Sequence, residues 1–125
     1  MAQMSQREIA VSFLFLAANG KVREAYNKYV APNFRHHNAY FSGDRESLLL
    51  AMEQAAVKNP DTKIETKLTL EDENLVATYS YVQHKPGDPG IAVAHIFRFE
   101  NGKIVEGWDV GQVIQKDSPN ENGMF

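Results

Sequence analysis

The feature that most constrains this chain is a change of hydrophobic period at Asn59-Pro60. Before it, apolar residues recur at helical spacing; after it they alternate with polar ones, the two-residue repeat of a half-covered strand. "KIETKLTL" sets Ile64, Thr66, Leu68 and Leu70 on one face and Lys63, Glu65 and Lys67 on the other. "NLVATYSYVQH" is predicted as a second strand after the acidic turn "EDEN", "IAVAHIFRF" as a third after "KPGDPG", and "KIVEGWDVGQVI" as a fourth after Asn101-Gly102. Upstream, Ser5 and Glu8 form a capping-box pattern ahead of an apolar helix that Asn19-Gly20 stops, and its composition predicts cover over most of its circumference. "KVREAYNKYV" is predicted as a short second helix with Val22, Tyr26, Tyr29 and Val30 on one stripe, and "APNFRHHNAYFSG" as a loop. Asp44 caps a third helix, "RESLLLAMEQAAVK". Three helices followed by an antiparallel meander predict an α+β domain whose sheet curls over the helices and closes its concave face around a pocket.

At 125 residues the chain makes one domain, divided into a helical part (1–60), a curved sheet (61–115) and a polar tail (116–125) lying on the surface. A formal charge of −3 and the lack of any basic cluster interleaved with aromatics argue against nucleic acid and anionic membranes as partners. "IAVSFLFLAA" is too short to span a bilayer and lacks a positive flank, so it reads as a core helix of a cytoplasmic protein. The chain has no cysteine, which fits a reducing compartment and removes thiolate nucleophiles and Cys-type zinc sites. His37, His84, His95 and Asp109 form the rival metal set, but none shows a short ligand spacing, so neither metal nor cofactor is expected.

The remaining candidates centre on "AHIFRFENGKIVEGWDV" (94–110), where the turn decides whether His95 and Asp109 meet. A two-residue type I′ turn at Asn101-Gly102 would pair His95 with Trp108 and send Asp109 to the opposite face. A three-residue loop, Glu100-Asn101-Gly102, would make His95 and Asp109 diagonal neighbours. The second register gathers Val93, His95, Phe97, Val105, Asp109 and Val113 on one face, with Gly107 and Gly111 leaving space beside the carboxylate, and is preferred for that pocket-like inventory. Its other face carries Ile104, Glu106 and Trp108, which makes Trp108 the candidate for a homodimer interface.

The helices-then-sheet order, "HIFRFENGKIVEGWDV", the "HHN" loop and the ending "NGMF" together resemble the SnoaL-like, polyketide cyclase-type branch of the nuclear-transport-factor-2-like superfamily, over nearly the whole chain. That resemblance implies a cone-shaped α+β (cystatin-like) fold. It also implies intramolecular aldol chemistry by an aspartate and a neighbouring-strand histidine, without metal or cofactor. By strand order these carry onto Asp109 and His95. The chain departs from the usual "QHNP" and "DIFR" of such relatives, keeping His37 and Asn38 of the loop motif.

The function expected is therefore acid/base chemistry of the cyclase or isomerase type on a small hydrophobic carbonyl compound. Asp109 would move the proton, and His95, Tyr79 or Tyr81 would donate to the developing enolate oxygen. Burial would push the Asp109 carboxyl up and a charged His95 would pull it back. Substrate contacts are expected from His37, Asn38, Tyr26, Tyr79, Phe97 and, at the rim, His84, with Tyr40 helping Asn38 to close the pocket; His36 is expected to be solvated. The alternatives are a binding module that holds an apolar ligand without turning it over, and a dimeric assembly domain.

Overall fold

Ser5 and Asp44 do locally what their positions predict. In the computed structural model, which describes residues 3–125, the Glu8 N–H donates to the Ser5 hydroxyl at 3.1 Å and the Ser5 N–H to the Glu8 carboxylate at 2.9 Å. Two otherwise orphaned donors are thereby satisfied at the start of α1 (Gln6–Ala18). α2 (Val22–Tyr29) follows, and α3 (Arg45–Lys58) starts where the Asp44 carboxylate accepts from the Ser47 N–H and hydroxyl. α1 buries Ile9, Ala10, Phe13 and Leu14, packs Leu16 and Ala17 partly buried against the same core, and leaves only Arg7, Glu8 and Phe15 exposed, so most of its circumference is covered as expected. There Phe13 lies against Tyr26 at 5.5 Å and edge-on to Phe97 at 5.8 Å between ring centres. Burying each such ring contributes about 1.5–3 kcal/mol. Among the described residues no helix is long and apolar enough to cross a membrane.

The sheet has five strands, β1 (Val30–His36), β2 (Lys63–Asp72), β3 (Leu75–Gln83), β4 (Ile91–Glu100) and β5 (Lys103–Val113), in the order β1-β5-β4-β3-β2. β2 to β5 are the predicted antiparallel meander. β1 corrects the reading of residues 31–43 as loop: it pairs in parallel with β5 and makes the sheet mixed. Pro32 hides this strand in the sequence, yet at the sheet edge a residue without an N–H is tolerated, and the register shifts between Val30 and Arg35.

Two bulges then redistribute faces that simple alternation predicts wrongly. In β2, Thr66 faces Ser80 but Leu68 faces Tyr79, so Lys67 is an extra residue. Ile64 and Thr66 consequently point inward, while Leu68 and Leu70 turn outward and are exposed. In the β4–β5 hairpin the turn is the two-residue one, with Asn101 and Gly102 both at positive φ (51° and 76°) and Phe99 facing Ile104. The preferred three-residue loop is not formed. Instead Val105 bulges, Arg98 faces Glu106, and the offset carries down the ladder until His95 faces Asp109 directly. Ile104, which the preferred register put outside, is 1% exposed in the core.

The tail lies across the outer face of the sheet. Phe125 packs on Tyr79 and Tyr81, at 5.1 and 5.9 Å between ring centres, and the Tyr79 hydroxyl donates to the Met124 carbonyl at 2.8 Å.

Candidate active site

Helices on one side and the concave sheet face on the other enclose a cavity of about 630 Å³. Leu48 and Met52 of α3, Ile91, Val93 and Phe97 of β4 and Val113 of β5 make its walls largely apolar. Gly107 and Gly111 lie in that lining, but they do not leave open space. A Cβ at Gly107 would stand 3.3 Å from the Phe34 ring, and one at Gly111 3.3 Å from an Ile91 methyl. The glycines let neighbouring side chains close against β5 beside the carboxylate.

Asp109 is set into this wall opposite His95, as a direct cross-strand pair. Side chains so paired have Cβ atoms about 4.5–5.5 Å apart, closer than the diagonal placement expected. The Asn38 amide donates to both Asp109 carboxylate oxygens, at 3.1 and 3.3 Å. Its own carbonyl oxygen accepts from the Tyr40 N–H at 2.9 Å, a local turn that holds Tyr40 and Phe41 at the cavity mouth. Tyr40 is 88% exposed.

His95 lies flat against Phe97, 5.7 Å between ring centres and 7° from parallel. Its Nδ1 is sealed from solvent without a hydrogen-bond partner. Burial pushes the imidazole down to about 4, and the Asp109 charge offsets this only in part, so His95 is neutral at pH 7.

Of the other sequence candidates, Asn38, Phe97, Tyr26 and His84 line the cavity. The Tyr26 hydroxyl donates to the Met52 sulfur at 3.3 Å, and burial raises its pKa, which keeps it a neutral phenol. His84 stands 3.3 Å from the Thr62 hydroxyl.

Tyr79 and Tyr81 do not reach the cavity. The inward positions of β3 are Val76, Thr78 and Ser80, all buried, and the tyrosines alternate to the outer face under the tail.

His37 is also outside. Because β1 runs on through His36, alternation turns Phe34 and His36 inward and Arg35 and His37 outward. His37 Nε2 donates to the Glu106 carboxylate at 2.6 Å and its ring stacks on Trp108, 4.9 Å between centres. His36, expected in solvent, is buried: its Nε2 donates to the Ser42 carbonyl at 2.7 Å and its Nδ1 accepts from the Asn38 N–H at 3.1 Å. Glu106, not singled out from sequence, is buried on the outer face and also accepts from Arg35 Nε at 3.1 Å and Arg98 Nε at 2.9 Å. The His37 hydrogen bond first, and the two guanidiniums, hold its carboxyl down at about 2 against desolvation. The signal for both residues was the parity of β1, legible only once that strand is recognised. Among the described residues no three His, Cys, Asp or Glu side chains gather as a metal-holding group.

Comparison with known proteins gives a consistent placement. The model of the SnoaL-like domain matches residues 12–107. No curated protein matches the chain in sequence. Among solved structures, a proposed hydroxylase, AclR, from Streptomyces galilaeus is similar at 20% identity and a TM-score of 0.74, over 88% of this chain and 91% of that one. An NTF2-like protein of unknown function from Cytophaga hutchinsonii is similar at 18% identity and a TM-score of 0.71, over 89% and 93%. A proposed polyketide cyclase, IdmH, from Streptomyces antibioticus is similar at 21% identity and a TM-score of 0.68, over 86% and 93%. At such identities the likeness is one of fold, and the reactions named for these proteins differ from each other.

Proposed function

The chain belongs to the SnoaL-like domain family, and from that premise we propose that it is a cytoplasmic enzyme of the cyclase or isomerase type. It performs acid/base chemistry on a small hydrophobic carbonyl compound without a cofactor. The observation that carries this reading is the direct pairing of His95 with Asp109 in the wall of an otherwise apolar cavity. Asp109 takes a proton from the carbon next to the carbonyl; electrons move to the carbonyl oxygen, and a neutral His95 donates a hydrogen bond to the enolate as its charge develops. The enolate carbon then attacks a second carbonyl, forming a C–C bond as that C=O π bond breaks to an alkoxide, which takes the proton back from Asp109; in the isomerase alternative Asp109 returns the proton to another carbon. Asn38 holds the carboxylate in one orientation meanwhile.

The test is solvent deuterium exchange into β-dicarbonyl compounds. Exchange by the wild type that is lost in Asp109→Asn supports the enzyme. Ligand retention without exchange in either protein would leave a binding module and overturn it.

A homodimer through the outer sheet face is part of the proposal, on the strength of Leu68, Leu70, Ile96 and Val110 exposed there. Trp108→Ala is expected to shift sedimentation towards the monomer; an unchanged dimer would remove Trp108 from the interface.

A further inference from the structure

We propose that His36 is a positioning residue that holds the Asp109 base in its working orientation, and does so only while its own ring is neutral. What it orients rests on the acid/base reading above; how it does so rests on hydrogen bonds that the structure contains. His36 ends β1, is 6% exposed and lines the cavity. Its Nε2 meets a carbonyl oxygen, that of Ser42 at 2.7 Å, so Nε2 carries the ring proton. Its Nδ1 meets an N–H, that of Asn38 at 3.1 Å, so Nδ1 carries none. Both ring nitrogens are committed, and together they define one tautomer of the neutral imidazole.

The two nitrogens grip the two arms of one loop. The His36 N–H donates to the Gly43 carbonyl at 3.1 Å and Arg35 bridges to Asp44, so the chain leaves β1 and returns beside it. The ring spans the turn between, with Asn38 on the outgoing arm and Ser42 on the returning one. Asn38 is the residue whose amide donates to both Asp109 oxygens and whose side-chain carbonyl takes the Tyr40 N–H. One imidazole therefore fixes the backbone of the residue that fixes the carboxylate.

A second proton on the ring has only Nδ1 to occupy, and there it meets the Asn38 N–H, so two donors face each other with no lone pair between them. The Ser42 bond survives this and the Asn38 bond does not. The titratable and charged groups around the ring are Asp44 on the returning arm, Asp109 and, on the opposite face, Glu106 of β5, Tyr26 of α2, His95 of β4, and Arg45 of α3 over the Tyr26 ring. Among the described residues the Asn38 N–H has no acceptor but Nδ1, so none of these groups replaces it. A glutamine amide offers the same acceptor–carbon–donor array as the ring and takes up no proton, which makes it the discriminating substitution.

The first half of the test needs no substrate. ¹H–¹⁵N spectra of the full chain, recorded as pH is lowered with the His36 ring followed in parallel, should show the Asn38 and Tyr40 amides shifting with the midpoint of His36. In His36→Gln both amides should stay still over that range. Amides that ignore the His36 titration in wild type, or that shift equally in His36→Gln, would overturn the proposal. Solvent deuterium exchange into a β-dicarbonyl probe then reads the consequence. Wild-type exchange should fall by about tenfold as His36 charges, in kcat more than in KM, and His36→Gln should lose that fall. His36→Leu, with no acceptor at any pH, should be slower by about tenfold throughout, and adding Asn38→Ala to it should slow it no further. Additive losses would mean that His36 does not act through Asn38. If the amides follow His36 but no protein exchanges, the His36 clasp stands and the enzyme reading fails. If wild type exchanges with a pH profile that His36→Gln leaves unaltered, the reverse holds.

Discussion

Glu106 and Asp109 lie three residues apart on β5 and face opposite sides of the sheet. Glu106 accepts from His37, Arg35 and Arg98 and is held far down as an anion. Asp109 accepts from one neutral amide and looks into an apolar cavity beside a histidine that burial keeps uncharged. The first carboxylate has its charge answered on the spot, so it is fit to fix geometry and poor at taking a proton. The second has one neutral amide as its partner and faces the cavity, where the proposed base has to stand. Of the two carboxylates, proton transfer is therefore expected from Asp109 and not Glu106, and the sharpest way to break the comparison is to neutralise each in turn. Asp109→Asn should reduce deuterium exchange by about 10²-fold or more while leaving the melting temperature nearly unchanged. Glu106→Gln should do the opposite, keeping exchange within a few-fold. Its cost falls on stability, about 2 kcal/mol, or a melting temperature roughly 5–10 °C lower by calorimetry.

The two faces should also separate along the pH axis. Between pH 6.5, the ordinary histidine value, and about 4, the unfolded chain binds a proton at residue 95 that the folded chain refuses. Stability contributed there is present above pH 6.5 and lost as pH falls towards 4. Glu106, lowered from 4.5 to about 2, contributes stability that is present above pH 4.5 and lost as pH falls to about 2. Denaturant midpoints measured across this range should therefore decline in two stages. His95→Gln is expected to flatten the upper stage and Glu106→Gln the lower. A single decline shared by both variants would mean that the faces are not independent.

What the sequence reveals of this arrangement depends on how local each feature is. The helix caps and helix ends are decided within one turn of chain, and Ser5 with Glu8, and Asp44, announce them. The meander is legible because alternation persists over whole strands. The bulges at Lys67 and Val105 carry no signature of their own, since each follows from packing across the sheet, and each inverts the facing of everything beyond it. The sharing of a face by His95 and Asp109 was thus anticipated from the wrong turn. β1 was hidden by Pro32 and by a parallel partner about seventy residues away, and with it went the parity that exchanges the places of His36 and His37. Tyr79 and Tyr81 misled for a chemical reason: a large phenol reads as pocket lining, whereas the inward positions of β3 near the helices accept only small or compact side chains such as Thr78 and Ser80.

The smallest expected effect concerns the loop that joins the two carboxylates. His37 ties it to the outer face through Glu106 and through its own N–H to the Gly107 carbonyl at 3.0 Å, while the next residue, Asn38, ties it to the inner face through Asp109. Asn38→Ala cuts only the inner tie. The chain should keep its course, because the His37 bonds and the Asn38 N–H to His36 Nδ1 survive the substitution. Asp109 would lose its orienting donor and the Tyr40 N–H its acceptor, so deuterium exchange into the carbonyl probe should fall by about tenfold or less, in kcat more than in KM. The Tyr40 amide should at the same time lose protection from hydrogen exchange, with the Gly107 region unaffected. If instead Tyr40 and the residues around Gly107 lose protection together, the two ties act as one. The contrast between an anchoring outer carboxylate and a reactive inner one would then have to be redrawn as a single coupled unit.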